Sequence, residues 1–276
     1  VMQKISGLRI AQDIVDRLKT KPLPKKFLAV FLIEEDLASK SFVLQKEKIA
    51  KEIGIDFRIY QIEKNITNDV FRKKISQVAN AKNCGGVIVQ LPLPEHINQS
   101  YVCNAIPPSK DVDLLSEKMI GSFYNNRSKI IPPSVGVVEC VLKSIGVDLS
   151  SIKKAAVVGQ GRLVGKPITN WLLAKVPHLV ALDKGSDLKS LEDADLVVLG
   201  TGQAGLIKAS MLKKGSGVID FGYGKDETGK LRGDFDENSL SEVISDYLSF
   251  YTPTPGGTGP ILVANLFKNF FDLNEE

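Results

Sequence analysis

Lys46 is the residue of this chain best placed by type and spacing to do chemistry. The segment from Ser39 reads as a helix, capped by that serine and stopped by Gly54. On it Phe42, Lys46, Ile49 and Ile53 share one face by their 4-3-4 spacing. A lysine in an apolar stripe is either an amine whose burial lowers its pKa towards that of a base, or a chain that snorkels from the stripe's edge to water. Gln90 closes an apolar run ahead of Leu91-Pro-Leu-Pro94. A carboxamide at the carboxyl end of a parallel strand can bond the edge of a heterocycle, or simply pin its own loop. Lys110-Asp-Val-Asp113 sets two carboxylates after a Pro-Pro pair. Either could accept from amino and ring N–H groups, and either could be a solvated turn residue.

A second constellation concerns phosphate. Ala155-Ala-Val-Val-Gly159-Gln-Gly161-Arg-Leu-Val-Gly165-Lys-Pro167 is a β-branched run that stops at three glycines before a helix-compatible segment. Such a turn lets backbone N–H groups and a helix N-terminus approach a phosphate, or it merely joins strand to helix. Its spacing is one residue longer than the common dinucleotide fingerprint. Asp183 ends the next strand, 22 residues beyond Gly161, where an acid commonly bonds the adenosine ribose of NAD. A 2′-phosphate there would meet repulsion unless Lys184 or Arg162 offsets it; the bland alternative is a loop-capping aspartate. Pro255-Gly-Gly-Thr-Gly-Pro260 is stiff at its ends and permissive within, which suits close passage past a planar ligand.

The elements that must hold these residues alternate. Ile10, Ile14 and Leu18 mark an early amphipathic helix. Phe27–Ile33 reads as a strand buried on both faces, 56–60 and 85–91 as further strands, and 68–80 as a helix. Periodicity lapses over 120–133, and resumes as a helix over 135–144. After the glycine turn come a helix over 167–175, strands at 179–183, 196–199 and 217–220, and a closing helix. This alternation implies an α/β fold: two α/β domains, the second a Rossmann-like dinucleotide-binding domain, with a cleft between them. The expected boundaries are residues 1–130, completed by a terminal helix at 258–276, and 131–257.

Composition excludes several classes. The chain has 276 residues with 36 basic and 32 acidic side chains, no basic block and no aromatic interleaving, so nucleic-acid binding is not expected. No apolar run is long enough to span a membrane, and no signal-peptide core is visible at the start. Three scattered cysteines and two histidines suit free thiols in a reducing cytoplasm and leave no metal site.

Together the segments resemble the bifunctional methylenetetrahydrofolate dehydrogenase/methenyltetrahydrofolate cyclohydrolase family. The resemblance rests on Val89-Gln-Leu-Pro-Leu-Pro94, Lys110-Asp-Val-Asp113, Val164-Gly-Lys-Pro167 and Thr252-Pro-x-Pro-Gly-Gly-x-Gly-Pro260, with Ser39 and Lys46 matching a Ser-x-x-Tyr-x-x-x-Lys motif. It implies that Lys46 is catalytic with Gln90 as its partner, and that Asp113 anchors a pterin ring. Phe42, Leu91, Asp111, Pro255, Gly256 and Gly257 would line the folate. Gly159, Gln160, Gly161, Arg162, Gly165, Asp183, Lys184, Gly202 and Tyr223 would hold NADP or NAD. It also implies a homodimer.

The implied reactions are oxidation of 5,10-methylenetetrahydrofolate by hydride transfer and hydrolysis of the methenyl product. The chain departs from the family pattern at Phe42 for tyrosine, Leu114 for glycine, Pro133-Ser134 for Cys-Thr, Gln160-Gly161 for Arg-Ser, Asp183-Lys184-Gly185-Ser186 for the His-Ser region, and Leu262 for threonine. These changes keep a second reading open, a folate- or nucleotide-binding homologue without turnover. A third, an S-adenosylmethionine-dependent methyltransferase, fits the glycine turn but leaves the first domain unused.

Overall fold

The computed structural model describes residues 2–33, 37–244 and 246–275, with the side chains at 37–39 and 41 left out. The elements run β1 (Gln3–Lys4), α1 (Gly7–Lys19), β2 (Phe27–Ile33), α2 (Leu37–Ile53), β3 (Phe57–Ile62), α3 (Asn68–Ala79), β4 (Cys84–Val89), α4 (Gln99–Cys103), α5 (Glu117–Tyr124) and α6 (Pro133–Ser144). They continue β5 (Lys154–Val158), α7 (Gly165–Leu172), β6 (His178–Leu182), β7 (Leu196–Leu199), β8 (Gly217–Asp220), β9 (Gly224–Lys225), β10 (Leu231–Arg232), β11 (Phe250–Tyr251) and α8 (Thr258–Asn274).

The chain divides into two compact units, one of Val1–Gln12 with Ser134–Leu262, the other of Asp13–Pro133 with Val263–Glu276. This differs from the expected 1–130 and 131–257 at three places. The first dozen residues join the nucleotide-type unit because β1 pairs in parallel with β11, Gln3 opposite Phe250. A two-residue strand carries no readable periodicity, so only its long-range partner reveals it. The other crossings fall at Pro133/Ser134 and Leu262/Val263.

The unit holding Lys46 has a parallel sheet in the order β3-β2-β4. All seven residues of β2 are buried, as its unbroken apolar run requires of a central parallel strand. Burying each large side chain there contributes about 1.5–3 kcal/mol. Phe31 stacks on Tyr60 with centroids 5.2 Å apart and meets Phe71 edge-on at 6.0 Å. Thr67 caps α3 by accepting from Val70 N–H. The segment where periodicity lapses still holds α5, capped by Ser116 Oγ accepting from Met119 N–H; it is too short to establish a pattern.

The other unit carries a six-stranded parallel sheet in the order β1-β11-β8-β7-β5-β6. Here β5 pairs with β6 on one side and β7 on the other. The strand order therefore reverses at β5, and the glycine turn sits at its carboxyl end. That is where ligands bind in open α/β sheets.

Candidate active site

α2 begins at Leu37, two residues before the expected cap; the Ser39 side chain lies outside the described residues. Its buried stripe is Val43, Lys46, Ala50 and Ile53, with Phe42 and Ile49 only partly buried at its margin. The stripe is thus one step rotated from the expected Phe42-Lys46-Ile49-Ile53 set, because the 3-4-3 spacing of the smaller residues fits against β2. Lys46 belongs to both sets. It is 6% exposed, which settles the snorkelling alternative against it.

Gln90 follows β4 and extends the ladder, its N–H donating to Phe31 O at 2.9 Å. It is buried, and its amide orientation is fixed by Nε2 donating to Leu91 O at 2.7 Å. Oε1 then faces the lysine, and Lys46 Nζ donates to it at 2.8 Å. An amide accepts this bond without carrying a charge, so it holds the amine without forcing it to stay protonated. Burial pushes the Lys46 amine below its ordinary value, opposed by the negative charge of Asp113. Burial pushes the Asp113 carboxyl up to about 7, opposed by Lys46 and reinforced by Asp111. The two shifts act in the sense that brings the proton affinities of the amine and the carboxyl closer together. Asp113 keeps partial exposure, so it can still meet a ligand.

Asp111 differs from the expected substrate contact. It is fully buried, with Oδ1 accepting from Leu115 N–H at 2.9 Å and Oδ2 from Ser116 N–H at 2.7 Å. Its carboxylate braces the turn that presents Asp113. Lys110 likewise serves the fold, donating to Ala79 O at the end of α3 and to Ala81 O just past it. Leu114 takes φ +51°, a left-handed conformation in which an L residue costs about 1–2 kcal/mol. The glycine of the family pattern would adopt it without strain. Asn269 of α8 donates to Val112 O and Ile131 O, tying this turn to the last helix. Leu91 lies partly buried beside Gln90.

In the other unit, Gly159 has φ +88°, and a Cβ on it would stand 2.6 Å from Gly200 O. A Cβ on Gly165 would overlap Gly159 O. Both glycines are demanded by the chain itself, which folds the start of α7 back against the end of β5. Gly161 is different, since nothing lies within 4 Å of where its Cβ would be, and Gly202, at φ +73°, is equally open. These two border open space at the carboxyl ends of β5 and β7, so the backbone there is accessible to a phosphate-bearing ligand.

Gln160 turns inward, donating to Val157 O and accepting from Thr169 Oγ1, so its side chain braces the turn. Arg162 is half-buried; Asp183, Lys184 and Tyr223 are exposed. Asp183 Oδ1 accepts from Lys184 N–H at 2.9 Å. Gly256 has φ +93° with open space around it, and its carbonyl accepts from Gly7 N–H at 2.9 Å. A Cβ on Gly257 would overlap Pro253 O. Pro255 follows a cis bond from Thr254. These three residues belong to the unit that holds the glycine turn, not to that of Lys46.

Sequence reasoning missed a buried acid pair. Asp220 closes β8 and accepts from Gly222 N–H at 2.7 Å and Phe235 N–H at 2.9 Å. Asp234, fully buried, accepts from Thr201 N–H at 2.5 Å. Burial, together with the neighbouring Asp234 charge, raises the Asp220 carboxyl to about 7, and burial raises Asp234 too. The two acids hold the loops that follow β7 and β8. An acid ending an apolar strand, as in Val218-Ile-Asp220, was the available signal; Asp234 had none, lying in an irregular stretch.

Comparison with known proteins decides the family. Residues 5–113 match the tetrahydrofolate dehydrogenase/cyclohydrolase catalytic domain, and residues 132–276 match the NAD(P)-binding domain of the same family. The chain belongs to the tetrahydrofolate dehydrogenase/cyclohydrolase family. It is 34% identical over 261 residues to the bifunctional protein FolD of Staphylococcus aureus, covering 94% of this chain and 89% of that one. The crystal structure of the Campylobacter jejuni bifunctional FolD superposes with a TM-score of 0.91 at 29% identity, covering 99% of both chains. The Trypanosoma brucei FolD, solved with NADP cofactor and inhibitor, gives 0.89 at 26% identity, covering 99% and 97%. Among the described residues no helix is long and apolar enough to cross a membrane, and no group of three metal-ligating side chains occurs.

Proposed function

We propose that this family member oxidises 5,10-methylenetetrahydrofolate to the 5,10-methenyl form by hydride transfer to NAD(P), and hydrolyses that product to 10-formyltetrahydrofolate. The observation that carries the reading is the buried Lys46 Nζ–Gln90 Oε1 bond beside a carboxyl raised to about 7. A bound nicotinamide nucleotide supplies the hydride acceptor. Oxidation needs little acid–base help from the chain, because the two nitrogens flanking the reacting carbon stabilise its positive charge; positioning is the main contribution. Asp113 accepts from pterin N–H groups and fixes the ring, while the ring of Phe42 offers a stacking face without a hydroxyl.

Hydrolysis begins with water attack on the methenyl carbon. Lys46, in its amine form, takes the proton that the water sheds, and Gln90 keeps the nitrogen aimed by accepting one of its other protons. The ammonium so formed gives its proton to the departing ring nitrogen as the C–N bond breaks, and the hydroxyl proton passes to solvent as the formyl carbonyl forms. A carboxylate in place of Gln90 would hold the lysine permanently charged, which is why an uncharged acceptor suits the step. The glycine turn at 159–165, the Gly202 loop and Tyr223 serve the nucleotide in this reading, and Pro255, Gly256 and Gly257 serve the folate. The family resemblance further supports a homodimer, and Cys84, Cys103 and Cys140, none of which forms a disulfide, are compatible with a reducing cytoplasm.

The test is a spectroscopic record of methenyl formation and decay with NAD and NADP supplied separately. Formation and decay with at least one nucleotide is expected. Absence of methenyl formation with both would remove the proposal.

A further inference from the structure

We propose that this chain selects NAD over NADP and that Asp183 makes the choice; the inference rests on the nucleotide-binding role proposed above. β6 lies parallel to β5 with Val158 opposite Leu182, and Gly159 N–H donates to Leu182 O at 2.8 Å. Asp183 is therefore the first residue past the strand, beside the first glycine of the turn. A dinucleotide lying over such a turn sets its adenosine ribose against the end of the neighbouring strand. A carboxylate there accepts hydrogen bonds from the two ribose hydroxyls. It repels a 2′-phosphate, which brings close to two negative charges of its own.

The local geometry keeps that carboxylate in place. Lys184 N–H donates to Oδ1, and Asp183 N–H donates to Ser186 Oγ at 3.0 Å, so the acid is built into a tight turn. A carboxylate has about four acceptor directions, and this bond uses one.

The second half of the argument is where positive charge would be needed. Recognition of a 2′-phosphate calls for a cation held at the turn, and Gln160 stands where the family pattern has arginine. Its Nε2 donates to Val157 O at 3.0 Å and its Oε1 accepts from Thr169 Oγ1 at 3.1 Å, so the amide is bonded to the chain and brings no positive charge to a phosphate. Cations in this stretch are Lys184, exposed and directly after the acid, Arg162, half-buried within the turn, and Lys166, exposed at the start of α7. A phosphate drawn to Lys184 would have to settle against Asp183.

Calorimetric titration of the full chain with NAD and with NADP, at one ionic strength and without folate, reads the preference directly. NAD is expected to bind at least tenfold more tightly. Asp183→Asn keeps an oxygen for the Lys184 N–H while removing the charge, and should narrow the ratio at least fivefold. Asp183→Ser should narrow it further through a gain in NADP affinity. Equal or tighter NADP binding by the native protein, or a ratio unmoved within twofold in both variants, overturns the assignment. Failure of both nucleotides to bind at all would remove the nucleotide reading itself, and the selection with it.

Discussion

Replacing Lys46 by methionine isolates the proton-handling step. Methionine has similar length and volume and fills the space under α2 without a cavity. The change removes an amine whose burial is unfavourable, and leaves Gln90 Oε1 without its donor, at a cost of about 1–3 kcal/mol. These effects oppose one another, so stability should move by less than about 2 kcal/mol, measured by urea denaturation. The catalytic loss is larger. A positioned general acid–base contributes about 10²–10⁴ in rate, which is about 3–5 kcal/mol of barrier. Decay of methenyl absorbance should therefore fall at least a hundredfold, while appearance of reduced nucleotide from the methylene substrate persists in part. Hydrolysis by Lys46→Met at the native rate, in a protein of native stability, would refute the assignment of the amine.

Three further outcomes follow from the geometry. Asp113→Asn should raise the KM for the methylene substrate about tenfold or more, and should lower the Lys46 pKa further by removing the charge that opposes burial; the pH profile of hydrolysis reads the second effect. Gly165→Ala should destabilise by more than about 3 kcal/mol because its Cβ meets the Gly159 carbonyl, whereas Gly161→Ala, with open space and an ordinary φ, should stay within about 1 kcal/mol in thermal unfolding. Asp220 has a folded pKa of about 7 against an ordinary carboxyl value of 3.8, so its contribution to stability is fully present below about pH 4 and is lost as pH rises through 7. The full shift corresponds to at most about 4 kcal/mol. Raised Asp113 acts in the same direction and lowered Lys46 in the opposite one. Urea midpoints at pH 5 and pH 8 should show a smaller difference in Asp220→Asn than in the native chain.

What the linear sequence determined about this protein is local. The all-apolar Phe27–Ile33 could only be a strand covered on both faces, and Gly159 and Gly165 fixed a strand-turn-helix because their backbones must pass where no Cβ fits. Lys46 was legible for the same reason, since a charge in an apolar stripe is visible from spacing alone. Tertiary structure decided which partner each group meets. Asp111 and Asp113 are equivalent in sequence, yet one spends both oxygens on backbone N–H groups and the other sits within the field of Lys46. The Gln90 carboxamide acquires its role only because β4 ends beside β2 and Leu91 O fixes the amide's orientation. β1, β11 and the Asp220–Asp234 pair were illegible, because elements of two residues have no period and a shared electrostatic field between positions 14 residues apart exists only once β8 and the loop at 234 are folded together. Periodicity reports which face of an element is dry; partners, and the pKa values they set, come from long-range register.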